Sequence, residues 1–210
     1  MKLRIALIVL IAVLIGISAW LNGLPQGPER VQLPLPVPPT EKKHKKATLT
    51  PGRVVQLQTV KGEIDFVLFE KDCPKTTARI IKLVEDGAYN RVAFTRVEKD
   101  TLIQTDLSRK KVETMGCEVA DGLDNVKGAV GMARKSSYDS VESSFYILLE
   151  PLAHLNQEYT VFGRLIKGMD VAMKIKKNDD IKSARIREFT PADRKLFDEV
   201  LRIEVERKVD

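Results

Sequence analysis

A chain of 210 residues with a formal net charge of +6 and an apolar share ordinary for globular proteins holds one domain plus appendages. The charge is spread out, and its one dense basic run, Lys42-Lys43-His44-Lys45-Lys46, reads as a solvated linker with no nucleic-acid fold beside it, so no nucleic-acid partner is expected. Two cysteines, Cys73 and Cys117, are too few for a disulfide framework, although they could pair in an oxidising compartment, and two distant histidines, His44 and His154, argue against a metal site.

Residues 1–22 read as a transmembrane anchor or signal segment. Lys2 and Arg4 precede an uncharged apolar stretch, Ile5 to Leu21. Its length of about 17 residues is at the lower end for a bilayer-spanning helix. Ile17-Ser18-Ala19 is only a weak cleavage site, and Trp20 suits a membrane interface. A single uncleaved helix is the favoured reading, and secretion after signal cleavage is the alternative. In both, the leading positive charges stay cytoplasmic and the remainder is exported. Residues 23–52 carry seven prolines and the lysine run, which excludes regular helix or sheet and predicts a semi-rigid tether.

The folded domain is expected over 53–189. Val55, Leu57 and Thr59 alternate with glutamines as in a half-buried strand, Lys61-Gly62 marks a turn, and Ile64, Phe66 and Leu68 continue with Asp65 opposite. Asp72-Cys73-Pro74 opens a helix, with Asp72 as its N-cap. A helix start lowers the pKa of a thiol, although a structural role for Cys73 is the simpler reading. Ala78, Ile81 and Val84 follow a helical period, and Gly87 supplies the stop. Short strands follow, ending at Ile181–Glu188. Periodicity alone predicts a mostly β, α+β domain. Residues 190–210 predict an extra helix, with Thr190 as N-cap, Pro191 and Asp193 in its first turn, and an apolar stripe of Leu196, Val200, Ile203 and Val205.

Phe94-Thr95-Arg96, Ile103-Gln104, Gly131 to Arg134, Ser143 to Leu149, Val161-Phe162-Gly163 and Gly168-Met169-Asp170 occur in the order and spacing of a known family. From about Arg53 to Glu188 the chain resembles a cyclophilin-type peptidyl-prolyl cis-trans isomerase. The resemblance implies a closed barrel of eight antiparallel strands capped by helices. It implies catalysis at Arg96, which would hydrogen-bond the prolyl nitrogen, and at Gln104, which would contact the substrate backbone and orient the arginine. Phe94, Thr101, Leu102, Ser144, Tyr146, Leu155 and Tyr159 fall at or beside positions that bind substrate. The implied partners are proline-containing polypeptides, and the implied chemistry uses neither cofactor nor metal.

Several of those positions depart from the family. Thr101 stands where the first pocket phenylalanine sits, and Leu102 replaces the methionine after it. Tyr146 replaces the second pocket phenylalanine, Tyr159 the pocket histidine, Ser144 a glutamine, and His154 a tryptophan or similar residue. The segments after Gln104 and at 136–143 are more charged and less glycine-rich. Two functions follow. One is an exported, membrane-tethered isomerase assisting the folding of extracytoplasmic proteins. The other is a catalytically weak or inactive cyclophilin-like domain that binds peptides or scaffolds a complex.

Overall fold

The computed structural model describes residues 47–107 and 112–207, the side chains of 203–207 excepted. The predicted apolar segment and most of the predicted tether lie outside the described residues. Among the described residues, eight strands, β1 (Val54–Thr59), β2 (Gly62–Leu68), β3 (Val92–Glu98), β4 (Leu102–Thr105), β5 (Ala129–Met132), β6 (Phe145–Leu148), β7 (Val161–Lys167) and β8 (Asp180–Arg187), are accompanied by three helices, α1 (Pro74–Glu85), α2 (Met169–Ala172) and α3 (Pro191–Arg207). The strands close into an antiparallel barrel in the order β1-β2-β7-β5-β6-β4-β3-β8. Closure removes the free strand edges that an open sheet would expose.

The first hairpin forms as its alternation predicts, with Gly62 at φ 135 in the turn. Its polar face is only partly solvated, with Gln58 exposed. Gln56 and Asp65 are buried, and the Arg187 guanidinium reaches Asp65 at 2.7 Å and Asp193 at 2.7 Å. Inside the barrel, the Phe66 ring meets Phe145 and Phe162 at centroid distances of 5.9 and 6.2 Å, and Tyr89 meets Phe145 edge-on at 5.3 Å. Each such ring, fully buried, contributes roughly 1.5–3 kcal/mol.

Two expectations for α1 need correction. Asp72 is not its cap. Its carboxylate instead accepts from the backbone amides of Thr48 and Leu49 at 2.8 and 3.1 Å, pinning the incoming chain. Cys73 stands at the cap without a side-chain bond to the helix start, and the Glu118 carboxylate, far away in sequence, accepts from the Lys75 and Thr76 amides at 3.2 and 2.6 Å. A remote acceptor serves the orphan amides of a helix start as well as a local one. The buried face of α1 is Ile80, Ile81, Leu83 and Val84, while Ala78 is exposed. Gly87, at φ 67, ends the helix as predicted, its amide reaching the Val84 carbonyl at 2.9 Å. The Cys73 thiol is driven up from its ordinary range by burial and by nearby Glu118 and Asp72, the reverse of activation by a helix start. Cys73 and Cys117 are both free.

The chain is tied to the folded domain before Arg53, since the Ala47 amide also donates to the Asp121 carbonyl at 2.8 Å. At the other end Thr190 caps α3, with Asp193 returning bonds to the Thr190 amide and hydroxyl at 2.8 and 2.7 Å. Phe197 is the buried anchor of α3, against Phe69 at 6.3 Å. The predicted stripe is therefore rotated: Leu196 is exposed, Val200 and Leu201 are half-buried, and Ile203 and Val205 lie outside the described side chains. Among the described residues no helix is long and apolar enough to cross a membrane.

Candidate active site

A bulge creates the site. Phe94 pairs with Thr105, yet Arg96 pairs with Gln104, so Thr95 is the extra residue of β3. The bulge turns Phe94 into the core, fully buried, while Arg96 stays exposed. From Arg96 the register runs to Gln104 on β4, Tyr146 on β6 and Gly131 on β5, one row across four strands. Side chains in one row share a sheet face. Leu102 lies on that face next to Gln104, paired with Glu98 on one side and Leu148 on the other.

The Arg96 guanidinium donates from Nη1 to Gln104 Oε1 at 3.4 Å. Its other edge is taken by Glu98, whose Oε1 accepts from Nε at 2.8 Å and Nη2 at 2.5 Å. Both side chains are about half exposed, at 54% and 46%. The pair therefore competes with solvent and holds Arg96 only weakly.

Tyr146 is buried, its hydroxyl donating to Asn125 Oδ1 at 2.5 Å, and burial pushes its phenol well above the usual range. Its ring lies across Gly131. A Cβ there would sit 2.2 Å from the Tyr146 hydroxyl oxygen, so the glycine is what lets the ring lie flat on the sheet. Tyr159 meets Tyr146 edge-on at 6.2 Å and carries the Arg134 guanidinium on its face at 4.5 Å. Arg134 is itself fixed by Glu158, with Nη2 to Oε2 at 3.0 Å, and by the carbonyls of Lys135 and Ser136, both at 3.1 Å. Leu155 ends a short 3-10 turn, Ala153–Leu155, and its carbonyl accepts from the Tyr159 amide at 3.2 Å.

The structure thus brings Arg96, Gln104, Leu102 and Tyr146 onto one face, with Tyr159 beside Tyr146. Three further predicted residues make contacts of their own within the fold. Phe94 is in the core. The Ser144 hydroxyl accepts from the Leu107 amide at 3.2 Å and so holds a loop. Thr101 donates back to the Lys99 carbonyl at 3.2 Å within the β3–β4 turn and offers no apolar wall. Sequence reasoning missed Glu98, Asn125, Gly131 and Arg134 as neighbours of the site. Glu98 was detectable, since two residues from Arg96 on a strand means the same face. Asn125 and Arg134 reach the site through loops, where spacing carries no such signal. Among the described residues no three His, Cys, Asp or Glu side chains gather in a metal-binding group.

Residues 54–193 match the family described as cyclophilin type peptidyl-prolyl cis-trans isomerase/CLD. The chain belongs to the cyclophilin-type peptidyl-prolyl cis-trans isomerase family. A probable peptidyl-prolyl cis-trans isomerase of Brucella suis is 33% identical over 153 residues, covering 65% of this chain and 78% of that protein. A cyclophilin-type isomerase of Cryptosporidium parvum superposes with a TM-score of 0.60 at 26% identity, covering 66% of this chain and 99% of that one. The same protein, solved in the presence of the dipeptide Ala-Pro, gives a TM-score of 0.59. This cyclophilin is accordingly an isomerase of X-Pro peptide bonds.

Proposed function

We propose that this cyclophilin accelerates X-Pro isomerisation through Arg96, with Gln104 positioning it and Leu102, Tyr146, Leu155 and Tyr159 forming the apolar rest for the proline ring. The observation that carries the reading is the row that places Arg96, Gln104 and Tyr146 side by side on three strands. Rotation about a peptide bond breaks partial double-bond character at about 18–20 kcal/mol. Twisting localises a lone pair on the prolyl nitrogen. A donor that meets this lone pair favours the twisted amide over either planar isomer, and that preference is catalysis. Guanidinium suits the role because it stays charged and its planar fork is rigidly oriented.

The relative solved with Ala-Pro supports a proline-containing peptide as substrate. A protease-coupled prolyl-peptide assay tests the mechanism. Arg96→Ala should lower kcat/KM about 10²–10³-fold, the scale of losing one preorganised transition-state donor. Arg96→Lys should recover little. An Arg96→Ala enzyme as fast as wild type would refute the arginine mechanism.

The reading extends to location. Lys2, Arg4 and the apolar stretch Ile5 to Leu21 support export, with the domain tethered outside the cytoplasm to assist folding there. Protease added to intact cells should reach the domain, and a protected cytosolic domain would overturn this part of the proposal.

A further inference from the structure

A groove of about 670 Å³ lies at the barrel end where the β3–β4 turn faces the segment after α2. Its apolar lining is Val97, Leu149, Met173 and Ile175. Leu149 and Ile175 are almost fully buried, while Met173 is half exposed. Five lysines, Lys61, Lys99, Lys174, Lys176 and Lys177, rim it, against a single lining carboxylate, Asp100. Lys61 leans on Asp179 at 3.7 Å and Lys174 on Asp170 at 3.2 Å. Among the described residues no carboxylate pairs with Lys99, Lys176 or Lys177, and all three are exposed. Concentrating cations around an apolar floor is unfavourable for the free protein, and an anionic ligand relieves it. The volume is that of a small-ligand or side-chain pocket, and the floor rules out a ligand that is charge alone.

The groove adjoins the site through one short turn. Val97 follows Arg96 on β3, and strand alternation sends the two side chains to opposite faces. Lys99 and Asp100 wall the groove, and Thr101 and Leu102 then lead back to the site. The turn is held by the Thr101 amide on the Glu98 carbonyl at 3.0 Å, with Asp100 left-handed at φ 58. A polypeptide crossing Arg96 reaches the groove by rounding this turn.

We propose that the groove is a second contact site for the polypeptide substrate, taking an acidic stretch with an apolar side chain that flanks the proline. Its purpose rests on the isomerase reading; its existence as a binding site does not. The lysines steer and hold the acidic groups, and the floor buries the apolar side chain.

The test uses the full chain in a mild nonionic detergent and a fluorescein-labelled peptide of alternating Glu and Leu, without proline. Anisotropy should show saturable binding. Lys99→Glu/Lys176→Glu/Lys177→Glu should weaken it at least about tenfold, the sum of several exposed charge contacts. The milder Lys176→Gln/Lys177→Gln pair should weaken it less, and a prolyl tetrapeptide too short to reach the groove should be isomerised by both variants as by wild type. Arg96→Ala should bind the probe normally. A prolyl peptide extended by the acidic stretch should be turned over several-fold better than the tetrapeptide by wild type, and equally by the triple variant. Undiminished binding in both lysine variants overturns the proposal. So does equal binding of a Glu-Gly probe, or displacement by dihexanoyl phosphatidylglycerol at lower concentration than by unlabelled probe, which marks a lipid headgroup as the occupant. A wild type inactive on the tetrapeptide that still binds the probe overturns the isomerase reading and leaves the groove standing.

Discussion

Glu98 holds two of the three nitrogens of Arg96, and it sets how much of the guanidinium a substrate finds waiting. An exposed pair is worth roughly 0.2–1 kcal/mol, so removing it should raise kcat/KM by up to about fivefold if Glu98 only competes. A fall on Glu98→Ala would instead assign Glu98 to holding the guanidinium in place. Thr101→Phe should raise kcat/KM by adding an apolar wall beside Leu102, worth roughly 1–3 kcal/mol of ring contact at most. Unchanged or lower kcat/KM would show that the turn cannot present a ring to the site. Arg96, Gln104 and Tyr146 were legible because the family's blocks fix their register. The inward facing of Phe94 was not legible, because the bulge at Thr95 leaves no trace in an apolar pattern.

At the scale of elements, α3 is joined to the barrel through the Arg187–Asp193 pair and the Phe197 ring. Its cap was legible from Thr190, Pro191 and Asp193. Its buried face was not, because the stripe through Leu196 and the one through Phe197 fit the sequence equally well until Phe69 selects one. Arg187 and Thr190 hold the Asp193 carboxyl well below the ordinary carboxylate range. A depressed folded pKa contributes stability that is fully present above the unfolded value of about 4 and is lost as pH falls through the folded value. Thermal unfolding followed at pH 5 and then stepwise below pH 4 should show Tm falling more steeply in wild type than in Asp193→Ala. At neutral pH that variant should lose about 1–3 kcal/mol, since Arg187 keeps Asp65 and part of its solvent contact. Parallel acid profiles would remove Asp193 from the account.

The whole molecule shows where a boundary read from composition and one set by hydrogen bonds diverge. Proline and lysine content carries the predicted tether to residue 52, but Ala47, Thr48 and Leu49 already bond to the folded domain, at Asp121 and Asp72. A strap of three residues is too short to show a periodicity by which it could be recognised. Residues 47–210 should therefore unfold in one cooperative transition. Beginning at Arg53 leaves the Asp72 carboxylate without its Thr48 and Leu49 donors and should cost about 1–3 kcal/mol. Equal denaturant midpoints for the two chains would return the boundary to Arg53.

The central claim is that Arg96 acts on the twisted amide more than on the bound peptide. Exchange spectroscopy of a prolyl peptide at saturating enzyme separates the two, because it reads interconversion of bound isomers alongside Kd. Arg96→Ala should leave Kd within a few-fold of wild type and slow bound-state exchange about 10²–10³-fold. Unchanged exchange with a much weaker Kd would contradict the account and make Arg96 a binding residue only.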